Sequence, residues 1–355
     1  MNDDGRWFSE ETDMPSDAGV IDSSMIRHEE NTMMKRQQPR NVKLIGWGKK
    51  AGSRKLTFGD QTRYRMAEGE TMLDLAETAA HKALAAAALD ISDIDCIVCA
   101  MATPLQGIPC NAALVHEQIA PYTDVPAIDI NTSCTSFLSA IDLMSYLVDA
   151  GRYQCMLILS GDTASAALNP KQKESYELFS DACTAFVLAR TESASDGSAI
   201  LYSAQKTWPE GAHDTEIRGG CGLLPAFAMT EENRDDYYFD MKGKRILRLS
   251  AKVLPPFVEE CLKAAELSSG IKKNEIDLVV PHQASRALDF IMPRLGFADK
   301  ARYIDRVSDY GNMVSASIPF VLCEAIETGR IRRGDSLLLL GTAAGLSANL
   351  VLLRF

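Results

Sequence analysis

No excess of basic residues marks this chain: 37 Lys and Arg stand against 48 Asp and Glu, for a net charge of −11. That balance excludes a general nucleic-acid binder, whose phosphate contacts demand a basic surface. A local basic patch can still meet an acidic partner, because binding depends on the field at the patch rather than on the total. The first residues, Met1-Asn2-Asp3-Asp4-Gly5, carry no apolar stretch of the secretory kind. Nothing there directs export, so a cytoplasmic protein is expected. The one long uncharged run, Ser336 to Leu353, is interrupted by Gly341, Thr342, Gly345, Ser347 and Asn349. It reads as strand, turn and strand rather than as a membrane span.

The nine cysteines are unevenly spaced and form no disulfide framework. Cys96 and Cys99 make a CxxC, but it lies inside the apolar run Ile94-Asp95-Cys96-Ile97-Val98-Cys99-Ala100 without a second pair. Buried thiols in a reducing compartment account for it better than a metal does. No metal or cofactor is called for.

What is present is a repeat. Ser92-Asp93-Ile94-Asp95-Cys96-Ile97-Val98 returns as Asn274-Glu275-Ile276-Asp277-Leu278-Val279-Val280, an offset of 182 between Asp95 and Asp277. Gly151-Arg152 before the apolar run Met156 to Leu159 returns as Gly329-Arg330 before Leu337 to Leu340, an offset of 178. With 46% hydrophobic residues over 355 positions, two similar halves can share one large core. The spacing predicts a polar extension over 1–40, a first half over 41–205, a turn-rich linker and lid over 206–240, and a second half over 241–355. A strand starts at Val42, and helices run from about Thr71 to Ala88, Ser136 to Val148 and Val253 to Leu267. Strands alternating with such helices predict an α/β fold built from a largely parallel sheet.

Stepping back 17 residues from Gly151 and from Gly329 reaches Cys134 in Asn131-Thr132-Ser133-Cys134 and Asn312 in Tyr310-Gly311-Asn312. Both open a helical pattern. A helix N-terminus stabilises a thiolate, so Cys134 is expected to ionise below the usual thiol range and to act as a nucleophile. Position alone allows a buried structural cysteine there, and a plain helix cap at Asn312. His282, in Val279-Val280-Pro281-His282-Gln283-Ala284, ends the repeated strand, at the sheet edge where open α/β folds bind ligands. His81, His116, His28 and His213 fall in helical, tail or linker patterns, which leaves His282 to meet Cys134.

These motifs, with the terminal Leu352-Leu353-Arg354-Phe355, resemble the β-ketoacyl-ACP synthase III family of the thiolase superfamily over about Val42 to Phe355. The resemblance implies a thiolase-like, duplicated, five-layered αβαβα fold with two pseudo-symmetric halves, and a homodimer. It implies that Cys134 accepts an acyl group from acyl-CoA or acyl-ACP. The backbone N–H groups of Cys134 and of the turn at Ala344 then hold the oxyanion. A malonyl thioester on acyl carrier protein follows, with His282 and Asn312 stabilising the enolate. Ile108 and Phe137 are expected at the acyl tunnel, Ile108 on a loop that crosses to the partner subunit. Ile108 stands where the family often has an aromatic wall, which predicts a deeper tunnel for longer acyl chains.

The chain departs from the family in three places. The segment that clamps the CoA nucleotide is reduced to Thr57–Arg65 and lacks tryptophan, the usual triple glycine is Ala343-Ala344-Gly345, and Ser180-Asp181-Ala182-Cys183 replaces a glycine-rich turn. A divergent member serving specialised rather than housekeeping lipid metabolism is implied. Lys242, Lys244, Arg245, Arg248 and Lys252 form a basic run, with Arg286 and Arg294 beyond it. Either these are solvated faces or they dock an acidic carrier protein or CoA phosphates. Two other readings use the same residues: an acyltransferase that passes the acyl group to an alcohol or amine, and a silent subunit of a heterodimer.

Overall fold

The computed structural model describes residues 36–191 and 197–355. The extension expected over 1–40 lies outside the described residues up to position 35. Its end is part of the fold. Gln37 donates its backbone N–H to Ser268 Oγ at 3.0 Å, and the buried Arg40 reaches Ser203 Oγ at 2.9 Å and Asp142 at 3.2 Å. The ordered body therefore begins before Val42, because an apolar strand edge recruits the preceding backbone.

The first half runs β1 (Val42–Ala51), a hairpin of β2 (Arg54–Phe58) and β3 (Gln61–Arg65), α1 (Met72–Ala87), β4 (Cys96–Cys99), α2 (Asn111–Ile119), β5 (Ala127–Asp129), α3 (Ser136–Asp149), β6 (Cys155–Asp162), the short α4 (Lys173–Tyr176) and β7 (Ala182–Arg190). The second runs β8 (Ala199–Thr207), the short β9 (Thr215–Glu216) and β10 (Asp240–Met241), α5 (Gly243–Ser269), β11 (Leu278–Pro281), α6 (Leu288–Arg294), α7 (Val307–Tyr310), α8 (Ser317–Glu327), β12 (Ser336–Ala343) and β13 (Ser347–Arg354). No helix among the described residues is long and apolar enough to cross a membrane.

The duplication is complete in the topology. One sheet has the order β1-β7-β6-β4-β5, the other β8-β13-β12-β11, with matching directions at each step. Only β5 lacks a full counterpart, and a single parallel bridge between Val279 and Tyr303 stands in its place. Both sheets are mixed, not largely parallel as expected. β6 and β7 pair antiparallel across a connection whose only α-helix is the short α4, and β12 and β13 pair antiparallel across a tight turn. β8 hydrogen-bonds to β13, so the first half expected to end at 205 gives up this strand to the second sheet.

Layering follows from side-chain alternation. Met156 and Ile158 of β6 face the central core with α3 and α8, whereas Leu157 and Leu159 face α1 and α2. In β12, Leu337 and Leu339 face the same central core, and Leu338 and Leu340 face α5 and α6. Sheets buried on both faces read as continuous apolar runs, which is how these strands are written. The result is the five-layered αβαβα stack, with α3 and α8 in the middle.

Helix α1 shows how local sequence sets the packing. Thr71 caps it, its hydroxyl accepting from Asp74 N–H while Asp74 accepts from Thr71 N–H. Its inner face is small (Ala76, Ala79, Ala80, Ala83), and β1 presents Gly46 and Gly48 to it. A Cβ at Gly48 would lie 2.2 Å from the Ala79 carbonyl oxygen, a contact of backbone with backbone that no rotamer relieves. Gly48→Ala should therefore destabilise the protein by about 2–3 kcal/mol or more through overpacking. Urea denaturation measures it, and an unchanged midpoint would show that α1 is free to back away from the sheet.

Candidate active site

Cys134 sits on a strained elbow between β5 and α3. Ser133 holds φ at 56°, a left-handed conformation uncommon for a residue with a side chain. Asn131 Oδ1 accepts from Ser133 N–H at 2.8 Å, and Ser136 Oγ donates to Ser133 O at 2.7 Å, so the turn is over-determined. The elbow delivers Cys134 to the position just before the cap of α3. The Ser133 hydroxyl lies 3.9 Å from the sulfur, and the backbone N–H groups of Ala344 and of Cys134 itself are near enough to favour the thiolate.

The thiol is not acidified, contrary to expectation. Burial pushes it up to about 11, Asp162 pushes the same way, and the Ser133 hydroxyl and the two N–H groups only partly offset them. The helix terminus stabilises an ion at an exposed site, but desolvation wins here. Cys96 and Cys155 are pushed up to about 11 by the same cause. Acidity therefore does not single out Cys134. Its setting does.

His282 leaves β11 with its N–H donated to Leu340 O at 2.8 Å. Gln283, fully buried, fixes the following turn by donating to Pro281 O and Ile304 O and accepting from Arg306 N–H at 2.7 Å. The imidazole is buried, and its Nδ1 has no hydrogen-bond partner among the described residues. Burial draws the ring down to about 4, so it is neutral at physiological pH.

Asn312 lies in the turn between α7 and α8. Its Oδ1 accepts from Val314 N–H at 2.8 Å and from Ser317 Oγ at 3.3 Å, and its Nδ2 donates to Ala284 O at 3.3 Å. The amide orientation is thereby fixed, with one Nδ2 hydrogen left for a ligand. Gly311 before it, at φ 69°, admits no Cβ, which would meet Leu178 O at 2.1 Å. The three side chains gather around the end of β12: Cys134 through Ala344, His282 through Leu340, and Asn312 through the Ala284 carbonyl beside His282.

Other expected residues fall elsewhere. Phe137 is in the central core, its ring 5.2 Å from that of Phe186. Ile108 projects from a loop and is 88% exposed on the single chain. The basic run does not precede the helix expected at Val253; it is the start of α5, which begins at Gly243 because Ile246 and Leu249 continue the apolar period. Lys242 donates to His213 O at 2.7 Å and Arg245 pairs with Asp214 at 3.0 Å, leaving Lys244, Arg248 and Lys252 on the exposed face. Arg286 pairs with Asp60 at the tip of the β2–β3 hairpin at 2.6 Å. Arg294 donates to Phe290 O at 2.8 Å.

The shortened Thr57–Arg65 segment is that hairpin, and its arginines point inward. Arg63 is fully buried, donating to the carbonyls of Glu177, Thr62, Val307 and Ser308, and burial draws it down to about 10. Arg65 stacks on Tyr176 and donates to its carbonyl. Sequence reasoning passed over Asp162, a buried carboxylate at the end of β6. The signal was there: a lone acid closing the apolar run Met156 to Gly161, as His282 closes β11.

Comparison with known proteins agrees with this geometry. The family description "3-Oxoacyl-[acyl-carrier-protein (ACP)] synthase III" matches residues 128–207, and that of its C-terminal part matches residues 267–355. The first span contains Cys134, the second His282 and Asn312. Curated relatives include a β-ketoacyl-[acyl-carrier-protein] synthase III of Clostridium perfringens, 33% identical over 83% of this chain and 88% of the relative. Another, from Aquifex aeolicus, is 30% identical over 82% and 86%. The crystal structure of the 3-oxoacyl-[acyl-carrier-protein] synthase III from Aquifex aeolicus matches with a TM-score of 0.77 at 27% identity, covering 88% of this chain and all of that one. A variant of Xanthomonas campestris OleA shares the fold, with a TM-score of 0.76 at 19% identity. With its duplicated five-layered fold and its thiol, imidazole and amide at one sheet edge, the chain belongs to the β-ketoacyl-[acyl-carrier-protein] synthase III family and is an acyltransferase of the condensing type.

Proposed function

We propose that Cys134 is the acyl acceptor, with acyl-CoA or acyl-ACP as donor, and that His282 and Asn312 serve the decarboxylating half-reaction. The observation that carries this reading is the setting of Cys134, just before α3 and with the backbone N–H groups of Cys134 and Ala344 beside its sulfur. The sulfur gives up its proton and attacks the thioester carbonyl. The carbonyl carbon becomes tetrahedral, and those N–H groups hold its oxyanion. Collapse expels the donor thiolate, which takes up the proton.

A malonyl thioester carried on acyl carrier protein then loses CO₂. The electron pair of the broken C–C bond moves into an enolate whose oxygen accepts from a ring N–H of His282 and from Asn312 Nδ2. The enolate carbon attacks the acyl-Cys134 carbonyl, the C–S bond breaks, and a 3-oxoacyl thioester leaves. Neutral donors suit this work, since the thioester carbonyl oxygens they meet are uncharged in the ground state and gain charge only in passing. The exposed Lys244, Arg248 and Lys252 on α5 supply a basic face for an acidic carrier. A homodimer is supported by β5, an edge strand with an open ladder, and by the exposed Ile108 and Tyr122 nearby in sequence. In that dimer Ile108 closes the partner's acyl tunnel.

Three measurements test the reading. Incubation with a panel of acyl-CoAs and acyl-ACPs should add one acyl mass on the Cys134 peptide, and malonyl-ACP should then release a 3-oxoacyl product. Transfer to an alcohol or amine without CO₂ release would replace condensation by simple acyl transfer, and no adduct at all would favour a silent subunit.

In Cys134→Ala, malonyl decarboxylation should run at a nearly constant rate from pH 8 to 5 and change only as pH approaches 4. His282 is neutral above about pH 4, and protonation below that keeps its N–H donor but adds a charge to a buried ring. A change centred near 6.5 would show a solvated imidazole and sink the assignment.

Ile108→Phe should shift donor preference toward short chains, each excluded methylene being worth about 0.8 kcal/mol. Identical acylation profiles from two to twelve carbons for the variant and the native protein would remove Ile108 from the tunnel.

A further inference from the structure

Asp162 is a buried carboxylate that the proposed chemistry leaves without a role. It is 1% exposed, ends β6, and faces Ala182 across the β6–β7 ladder. Its two oxygens serve different halves of the molecule. Oδ1 accepts from Ala102 N–H at 3.0 Å and from Thr103 N–H and Oγ1, both at 2.8 Å. These residues open the loop that leads to Ile108. Oδ2 accepts from Ser315 N–H at 3.1 Å and Ser315 Oγ at 2.5 Å. Ser315 lies three residues beyond Asn312, in the turn whose Val314 N–H is held by Asn312 Oδ1. No salt bridge joins Asp162 to a cation among the described residues.

We propose that Asp162 is a positioning residue: one carboxylate clamps the turn carrying Asn312 in the second half to the acyl-tunnel loop of the first, and so sets the Asn312 amide relative to Cys134. A carboxylate suits the task because it offers two acceptor oxygens and no donor, and every group that meets it here is a donor. An asparagine keeps only one acceptor. Its Nδ2 would face Ser315 N–H, donor against donor, and the second-half arm would open. Charge adds an independent signature. The titratable groups that feel Asp162 are Cys134 and Cys183, and in both it opposes ionisation. The resting thiol is thereby kept protonated until a donor arrives, and the acyl-thioester, being neutral, no longer meets that repulsion.

This inference rests on the assignment of Asn312 to the decarboxylating half-reaction, and the experiment separates the two. Malonyl-ACP decarboxylation is measured in the Cys134→Ala background with Asp162→Asn or Ser315→Ala added. Iodoacetamide labelling of Cys134 against pH is read by peptide mass in the enzyme that retains the thiol, because Cys110 and Cys221 are also exposed. Asp162→Asn and Ser315→Ala should each lower decarboxylation about tenfold, and the combined variant should be no slower than Asp162→Asn, since both remove one arm. Asp162→Asn should move the Cys134 labelling profile to lower pH, whereas Ser315→Ala should leave it in place. The profile reports the Asp162 charge, and the loss of decarboxylation in Ser315→Ala with an unmoved profile reports the clamp on the Asn312 turn. Undiminished decarboxylation in Ser315→Ala, or an unmoved profile in Asp162→Asn, overturns the proposal. Should Asp162→Asn fail to fold, Ser315→Ala carries the test. Absence of decarboxylation in Cys134→Ala alone would instead sink the Asn312 reading, with the labelling profile still reporting on Asp162.

Discussion

The central helix layer is packed on both faces: Phe137, Leu138 and Ile141 of α3 and Ile318, Val321 and Leu322 of α8 share one core with Val98, Ile158, Leu339 and Val351 from the two sheets. The inward faces of these helices are closed to solvent and to substrate, while α3 shows Leu143, Tyr146 and Leu147 on its outer side. Only their ends can carry chemistry. Because the halves are related by duplication, the two first turns come to one sheet edge, and the residues just before them, Cys134 and Asn312, are brought there with them. Gly341 of β12 lets this layer close: a Cβ would lie 2.7 Å from Thr135 Cγ2 and 3.0 Å from Ile318 Cδ1. The strand that supports His282 through Leu340 therefore passes hard against both helices.

The same burial governs the electrostatics. It pushes the Cys134 thiol up and the His282 ring down, so both groups rest in their neutral forms. A site of this kind works by aimed N–H donors and fixed amides, whose hydrogen bonds gain strength where water is excluded. The His282 Nδ1, without a partner among the described residues, and the uncommitted hydrogen of Asn312 Nδ2 leave polar capacity for a ligand. Asp162 stands apart as a carboxylate at the heart of the molecule, tolerated because five donors converge on it.

Around the site, basic side chains serve the structure. Arg63 and Arg65 of the β2–β3 hairpin are bound to main-chain carbonyls, Arg65 also stacks on Tyr176, and Arg286 is held by Asp60. Exposed positive charge is found instead on α5, where Lys244, Arg248 and Lys252 stand clear of the acidic remainder.

Much of this was legible from residues alone. The repeat announced two halves, an uncharged run broken by a glycine-bearing turn announced β12 and β13, and the helical period placed α1 and α3 within a residue or two; Cys134 and Asn312 were singled out by counting from paired glycines, and His282 by the end of the repeated strand. These signals are local, so the sequence determines them through backbone propensity and side-chain periodicity. Tertiary structure decided the rest. It gave β8 to the second sheet, turned largely parallel sheets into mixed ones and drew Gln37 and Arg40 into the body. It also reversed the expected acidity of Cys134, buried Arg63 and joined Asp162 to Ser315 across 153 positions. Each of these outcomes depends on which groups lose water and which partners they meet when distant segments close together, and no window of neighbouring residues contains that information.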